Sequence, residues 1–458
     1  MCRFAPHSSV NFFRFTRKAR KLRINNGFSR FWYLTLDEIQ SYCLCCSLIL
    51  EASLKGTHLI KTPMKILVLA WEFPPRIVGG IARHVAELYP ELVILGHEIH
   101  LITIEFGQAP AMEQVEGVYI YRVPVLPNDD FFEWVGQMNL SMGKQGGSLI
   151  RESLDFDLIH AHDWLVSDAA IALKHYFKIP LIATIHATEY GRCQGLYNDT
   201  NYYIDRKEKE LTHDAWRVIV CSQYMREEVK RVLDCPVDKV DVVYNGIRPH
   251  KKFKDPAFDY DEFRRRFAQD QEKIVYYVGR MAPEKGVAVL LKAAPKVITS
   301  LGEWVKFVII GGGSTQHLQD LADDQGITPW CEFTGFMPDE ELDKFQTIAD
   351  CAVFPSLYEP FGIVALESFA ARVPVVVSDA GGLPEVVQHE QTGIITWAND
   401  PDSLAWGILE VLQNPELASQ WVENAYATLK ERFCWSTLAL ETEKIYYQVA
   451  EERQGVEW

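Results

Sequence analysis

The chain has little of what marks several large protein classes. Its ten cysteines are scattered (Cys2, Cys43, Cys45, Cys46, Cys193, Cys221, Cys235, Cys331, Cys351 and Cys434), with no paired Cys-x-x-Cys sets. Neither a zinc ribbon nor a disulfide framework is signalled, and a reducing, cytoplasmic compartment fits best. Cys221 and Cys351 lie in apolar runs and read as core thiols. The apolar run from Ser41 to Leu50 is about ten residues, too short to cross a bilayer. The glycines before the first helix do not make the Gly-x-Gly-x-x-Gly fingerprint, so a nicotinamide cofactor is unsupported. Basic charge is outweighed: 46 Lys and Arg stand against 62 Asp and Glu, a net charge of −16. Such a balance argues against a nucleic-acid partner.

What is present is unevenly spread. Residues 1–63 carry ten Lys or Arg and three Asp or Glu; the remainder carries 36 and 59. No acidic residue precedes Asp37, a pattern shared with transit peptides. Met64-Lys65-Ile66-Leu67-Val68-Leu69-Ala70 nevertheless reads as a natural start entering a strand directly. Residues 1–63 are therefore expected to be an upstream extension outside the fold, with a transit peptide and a membrane anchor as alternatives. At 458 residues the chain has room for two or three domains.

From Met64 the pattern is strand, loop, helix, strand. Ile66–Ala70 is a strand, 71–80 a loop, Ile81–Leu95 a helix ended by Gly96, and Glu98–Thr103 the next strand. This βαβ unit requires a parallel sheet. Gly79-Gly80 lets the backbone approach a ligand before the helix, or simply makes a tight turn. Strand 156–160 runs into the polar tip His160-Ala161-His162-Asp163-Trp164. His-x-His with an aspartate suits a metal, but companion ligands are not evident in the sequence, so a structural or substrate-contacting role is favoured. Strand 179–186 ends at His186, at the carboxyl edge of the sheet where ligands bind; a satisfied core histidine is the competing reading. Val240–Tyr244 is followed by the turn Asn245-Gly246.

Residues 248–272 are charged and proline-bearing, and mark a boundary between 64–247 and a second domain, 273–458. There the strand-helix pattern restarts: Ile274–Gly279, a helix from Gly286 to Ser300, then strands at 305–310, 331–334, 351–354, 375–378 and 393–396. A last helix, Leu438–Val449, is expected to pack back on the first domain. Arg280 and Lys285 lie five apart across a Gly/Pro loop, which suits gripping a diphosphate. The most informative stretch is Phe354 to Glu367. A buried strand closes at Pro355, and Gly362 frees the backbone just before a helix begins with Ile363 and Val364. Its first N–H groups lack internal partners and carry partial positive charge, so an anion is the natural ligand. Glu359 at the mouth and Glu367 on the helix can accept from sugar and ribose hydroxyls.

Glu359-Pro360-Phe361-Gly362 followed by Glu367 resembles the Glu-x7-Glu signature of retaining nucleotide-sugar glycosyltransferases of group 1, family 4, including glycogen and starch synthases. The resemblance runs from about Met64 to the C-terminus. It implies an α/β architecture of the GT-B type, two doubly wound domains flanking a cleft. It further implies that Arg280 and Lys285 hold the donor diphosphate, Glu367 the ribose and Glu359 the donor sugar. His186 would reach the transferring sugar, and Gly79 and Gly80 would bring a helix N-terminus to the phosphates. Gly362, Ile363 and Val364 would supply the facing one. His162, Asp163 and Asn245 are candidates for acceptor or sugar contacts. Ile77-Val78 stands before Gly79-Gly80 where bacterial glycogen synthases often carry Lys, which weakens the case for ADP-glucose. No Asp-x-Asp sits at a strand end among these motifs, so metal-independent transfer of glucose or a similar hexose to a glucan or other glycan is expected. A nucleotide-sugar epimerase and a catalytically silent glycan-binding module are the alternatives.

Overall fold

The computed structural model describes residues 62–152, 155–248 and 257–457. The expectation for residues 1–63 therefore lies almost wholly outside the described residues, as do Pro249 to Pro256 of the charged connector.

Two sheets organise the described chain. The first contains β1 (Lys65–Leu69), β2 (Glu98–Ile104), β3 (Met112–Val115), β4 (Val118–Val123), β5 (Leu158–His162), β6 (Leu181–Ile185), β7 (Arg217–Val220) and β8 (Val240–Val242). Its order is β3-β4-β2-β1-β5-β6-β7-β8. All pairs are parallel except the β3–β4 hairpin. The second contains β9 (Lys273–Val278), β10 (Val305–Ile310), β11 (Cys331–Gly335), β12 (Cys351–Phe354), β13 (Val375–Ser378) and β14 (Ile394–Thr396), ordered β11-β10-β9-β12-β13-β14 and parallel throughout. Every residue of β5, β6, β12 and β13 is buried, as expected where helices cover both faces of a sheet. Cys221 and Cys351 are buried free thiols.

The strand orders locate the ligand edges. The chain leaves β1 towards β2 on one side and reaches β5 on the other; β9 likewise lies between β10 and β12. A doubly wound sheet opens a crevice at the carboxyl ends of such strands, because the helices there depart to opposite faces. The loops at 71–79, 163, 186–188, 279–286 and 355–362 all leave such ends.

The C-terminal helix, Trp435–Gln454, packs on the first helix, Gly80–Ile94. Its Trp435, Leu438, Tyr446 and Val449 share one core with Ile66, Val68, Val85 and Leu88. Trp435 Nε1 also donates to Glu87 at 2.7 Å.

Several boundaries differ from the sequence reading. The first helix runs Gly80–Ile94 because Gly79 is extended (φ −155°, ψ −157°) and Leu95 caps the far end. The helix after β9 is Val287–Leu301, since Gly286 is left-handed at φ 70°. Three elements lie in a region to which the sequence reading assigned none. The β3–β4 hairpin turns through Glu116 (φ 47°) and Gly117 (φ 88°), the positive pair a tight two-residue hairpin demands. Helix Phe131–Arg151 carries Gly136, Gly143, Gly146 and Gly147 inside it, which lowers its intrinsic propensity. A Cβ on Gly146 would lie 2.7 Å from Leu173, so close packing of two helices selects glycine there.

Candidate active site

Three loops of the second sheet converge on Glu359. The turn after β9 touches the loop after β12: the N–H groups of Leu357 and Tyr358 donate to the Glu284 carbonyl at 2.7 and 3.2 Å. A Cβ on Gly286 would meet the Pro355 carbonyl oxygen at 1.9 Å, so glycine is required by space as well as by φ. From the loop after β13, Gly382 N–H donates to the Glu359 carbonyl at 2.8 Å. The Glu359 carboxylate, largely buried, takes Lys285 Nζ at 2.8 Å and the Ser356 hydroxyl at 3.3 Å.

Gly362 has φ 108°, ψ 51°, a conformation open to glycine, and caps the helix Ile363–Ala370. The N-terminus of that helix faces the first helix: a Cβ on Gly80 would lie 3.3 Å from Ile363 Cδ1. Two helix N-termini thus meet across the cleft, one from each sheet. At the first, the buried Glu72 carboxylate accepts from Val78 and Gly79 N–H at 2.6 and 3.0 Å. Burial raises its pKa, with these backbone bonds opposing.

Glu367 is only 3 % exposed. It pairs with Arg83 of the first helix, which also reaches Asp339 at 3.1 Å. Arg280 and Lys285 are not side by side on one partner. Arg280 is exposed and bonded to Glu284 at 3.1 Å, whereas Lys285 serves Glu359. The facing loop is held from the first sheet, with Ser222 Oγ donating to the Pro360 carbonyl at 2.6 Å and Tyr358 to Glu228 at 2.7 Å.

The strand-end histidines form a cluster in which His160 and His162 are buried and His186 is half-buried. His186 Nε2 lies 3.0 Å from His162 Nδ1, and His162 Nε2 lies 2.6 Å from the Tyr89 hydroxyl. Tyr89 continues to His160 at 3.0 Å, and His160 to Tyr446 and Thr184, each at 2.7 Å. His84 joins from the first helix, its Nδ1 2.8 Å from Asn245 Oδ1. Burial drives the pKa values of His84 and His186 down to about 3, with His186 also acting on His84. Burial, together with neighbouring histidines, holds His160 and His162 well below the usual range. Each of these shifts favours the neutral ring. Asp163 Oδ1 accepts the His186 N–H at 2.8 Å. Burial raises Asp163 to about 6, with Arg192 and that N–H opposing. Its backbone, φ 60° and ψ 172°, is a conformation costing about 1–3 kcal/mol that persists where surroundings over-determine it.

The cleft between the sheets is lined by Pro74, Arg83, His84, Gly246, Ile363 and Glu367 among others. The family described as Glycosyltransferase Family 4 matches residues 78–251, and Glycosyl transferases group 1 matches 259–428. An uncharacterized glycosyltransferase of Methanocaldococcus jannaschii is 40% identical over 86% of this chain and 100% of its own. The chain belongs to the group 1 glycosyltransferases. The glycogen synthase of Mycobacterium tuberculosis is 32% identical over 84% of this chain and 94% of its own. Among solved structures, the sucrose-phosphate synthase of Thermosynechococcus elongatus superposes with TM-score 0.72 at 23% identity, covering 84% of this chain and 99% of that one. The fold is GT-B and the protein is an enzyme of the glycosyltransferase class.

The structure thus places Gly79 and Gly80 at one helix N-terminus and Gly362, Ile363 and Val364 at the one facing it, with Lys285 on Glu359 in the adjoining loop and Glu367 on Arg83 across the cleft. It sets His162, Asp163 and Asn245 around His186 and His84 rather than on the surface. Sequence reasoning did not single out Glu72, Arg83, His84, Tyr89 and Asp339. A usable signal existed for two: Arg83 and His84 follow Gly79-Gly80 by one helical turn, which puts them at the same helix end. Nothing local marks Asp339, which reaches Arg83 only through tertiary packing.

Proposed function

We propose that this glycosyltransferase moves glucose or a similar hexose, with retention, from a nucleotide diphosphate sugar to a glucan or other glycan. The observation that carries this reading is the meeting of two glycine-led helix N-termini beside Lys285, Glu359 and Glu367. Aligned N–H groups and a nearby ammonium favour an anion, and two buried carboxylates beside it suit hydroxyls. A nucleotide diphosphate sugar presents both.

In this reading the diphosphate lies between the helix N-termini at Gly80 and Gly362. Lys285 turns from Glu359 to the phosphates, and Arg280 leaves Glu284 to join it. Fixed cations and peptide dipoles then offset the charge that grows on the departing nucleotide, which is the electrostatic role a transferase of this kind requires. Glu359, released, accepts from the sugar, and Glu367 exchanges Arg83 for ribose hydroxyls. His186, neutral and fixed by Asp163 and His162, stands at the transferring sugar. The relationship to a glycogen synthase supports a glucan acceptor; the Ile77-Val78 pair before the glycines counts against ADP-glucose in particular.

The test is a donor screen with ADP-, UDP- and GDP-sugars, reading nucleotide release with and without glucan, followed by analysis of the product. Glucan-stimulated release and a new glycosidic bond of retained configuration are expected. An isomerised donor, or glycan binding with no donor consumed, overturns the reading.

A further inference from the structure

Three histidines cluster where the first helix meets the ends of β5 and β6, and their metal-ligating capacity is separate from the place at the sugar proposed for His186. We infer that His84, His162 and His186 form a binding site for one transition-metal ion, zinc or a close analogue, and that the ion inhibits transfer.

The geometry comes first. One ligand nitrogen from each ring lies within 4.8 Å of the others. The ring centroids are 5.3, 4.8 and 5.3 Å apart. Tetrahedral zinc binds imidazole at about 2.0–2.1 Å, which places ligand nitrogens roughly 3.3 Å from one another. His162 Nδ1 and His186 Nε2, at 3.0 Å, are near that spacing already. The His84 ring must approach the other two to close the remainder while keeping Nδ1 on Asn245.

A second observation concerns protons. His84 is 4 % exposed, and its Nε2 is buried with no hydrogen-bond partner. Its Nδ1 faces Asn245 Oδ1, an acceptor, so the proton sits on Nδ1 and Nε2 offers a bare lone pair. An unmet buried acceptor is costly, and a cation satisfies it. His162 is prepared in the same way. In the tautomer that serves the site, His162 Nε2 donates to Tyr89 at 2.6 Å, the Tyr89 hydroxyl to His160 at 3.0 Å and His160 Nε2 to Thr184 at 2.7 Å. That leaves the His162 Nδ1 lone pair facing inward. Metal-binding imidazoles are characteristically held by a hydrogen bond from the other ring nitrogen, and Asn245 and Tyr89 supply it. His186 must shift its proton from Nε2 to Nδ1 to become the third ligand; no proton is released.

Three protein ligands leave a fourth position, the arrangement of accessible rather than closed sites. His84 lines the cleft and His186 is read to stand at the transferring sugar, so an ion held by both would sit beside that sugar. The inhibitory half of the inference therefore rests on the proposed function; the binding half does not.

The experiment uses the full chain, stripped with EDTA and dialysed. Zinc stoichiometry and affinity are measured by competition with a chromogenic chelator, and cobalt(II) serves as a spectroscopic probe. One zinc per chain, a tetrahedral cobalt spectrum, and zinc inhibition reversed by EDTA are expected. Asn245→Ala should weaken zinc about ten- to a hundredfold, and His84→Ala should weaken it further. Both variants are checked by circular dichroism, and zinc should raise the parent's Tm with concentration. Absence of zinc binding, an octahedral cobalt spectrum in the parent, or zinc binding unchanged in both folded variants overturns the site. Zinc bound as expected by a chain that turns over no donor supports the site and removes the functional reading instead. Turnover with no zinc bound does the reverse.

Discussion

Glu359 holds Lys285 at 2.8 Å and Glu367 holds Arg83, so under the proposed function each carboxylate exchanges a cation for hydroxyls. In the proposed reading Glu359 stands beside the sugar, where charge builds as the glycosidic bond breaks, so Glu359→Gln should lower kcat. In the same reading Glu367 grips the unreacting ribose, so Glu367→Gln should raise the donor KM about ten- to a hundredfold, for a charge-assisted bond of about 1.5–3 kcal/mol. Steady-state kinetics on folded variants decide; the opposite split reverses the roles. Arg83 gives a sharper test. Its side chain is 34% exposed, so solvent screens the pair and its net worth is at most about 1 kcal/mol. Arg83→Ala removes the competitor for Glu367, and nucleotide diphosphate should bind up to about fivefold more tightly. Weaker binding by calorimetry would mean that Arg83 itself holds the donor.

At the scale of elements, the site depends on loops pressed together by their backbones. Gly286 joins the turn carrying Lys285 to the loop carrying Glu359. Ala at 286 meets both a left-handed φ and a carbonyl at 1.9 Å. The expected cost of Gly286→Ala is about 2–4 kcal/mol, with a raised donor KM as Lys285 shifts. Gly286→Asn relieves the φ penalty but keeps the collision and should lose nearly as much. Urea unfolding of the three proteins measures this, and a loss below about 1 kcal/mol in either variant contradicts it.

For the whole molecule, charge and metal dependence are the exposed questions. The positive charge excess before residue 64 and the strand beginning at Lys65 predict that a chain starting at Met64 folds and is active. Insolubility or loss of the cooperative transition counts against this. Lys285 and the two helix N-termini can offset a diphosphate unaided, so activity should survive EDTA. Activity abolished by EDTA and restored by Mg²⁺ or Mn²⁺ sinks the prediction. The same treatment relieves any zinc inhibition, so the chelated enzyme should be at least as active as the untreated one. No helix among the described residues is long and apolar enough to cross a membrane.

Local signals sufficed for the strands of both sheets that are apolar throughout and, to within a residue, for the glycine-led helix starts, and they place Glu359 in the loop and Glu367 on the helix after β12, because burial pattern and turn chemistry act within a few residues. The β3–β4 hairpin and the Phe131–Arg151 helix were less legible: one is a short edge element, and the other owes its glycines to a neighbouring helix. What only the tertiary structure decided is pairing. Arg280 and Lys285, five apart in sequence, separate onto different carboxylates. Arg83 and Glu367, nearly three hundred apart, come together across the cleft. His84 enters the histidine cluster from another element altogether. Sequence determines which groups are available at each strand end; the approach of two sheets, with charges that must be neutralised once buried, determines which of them meet.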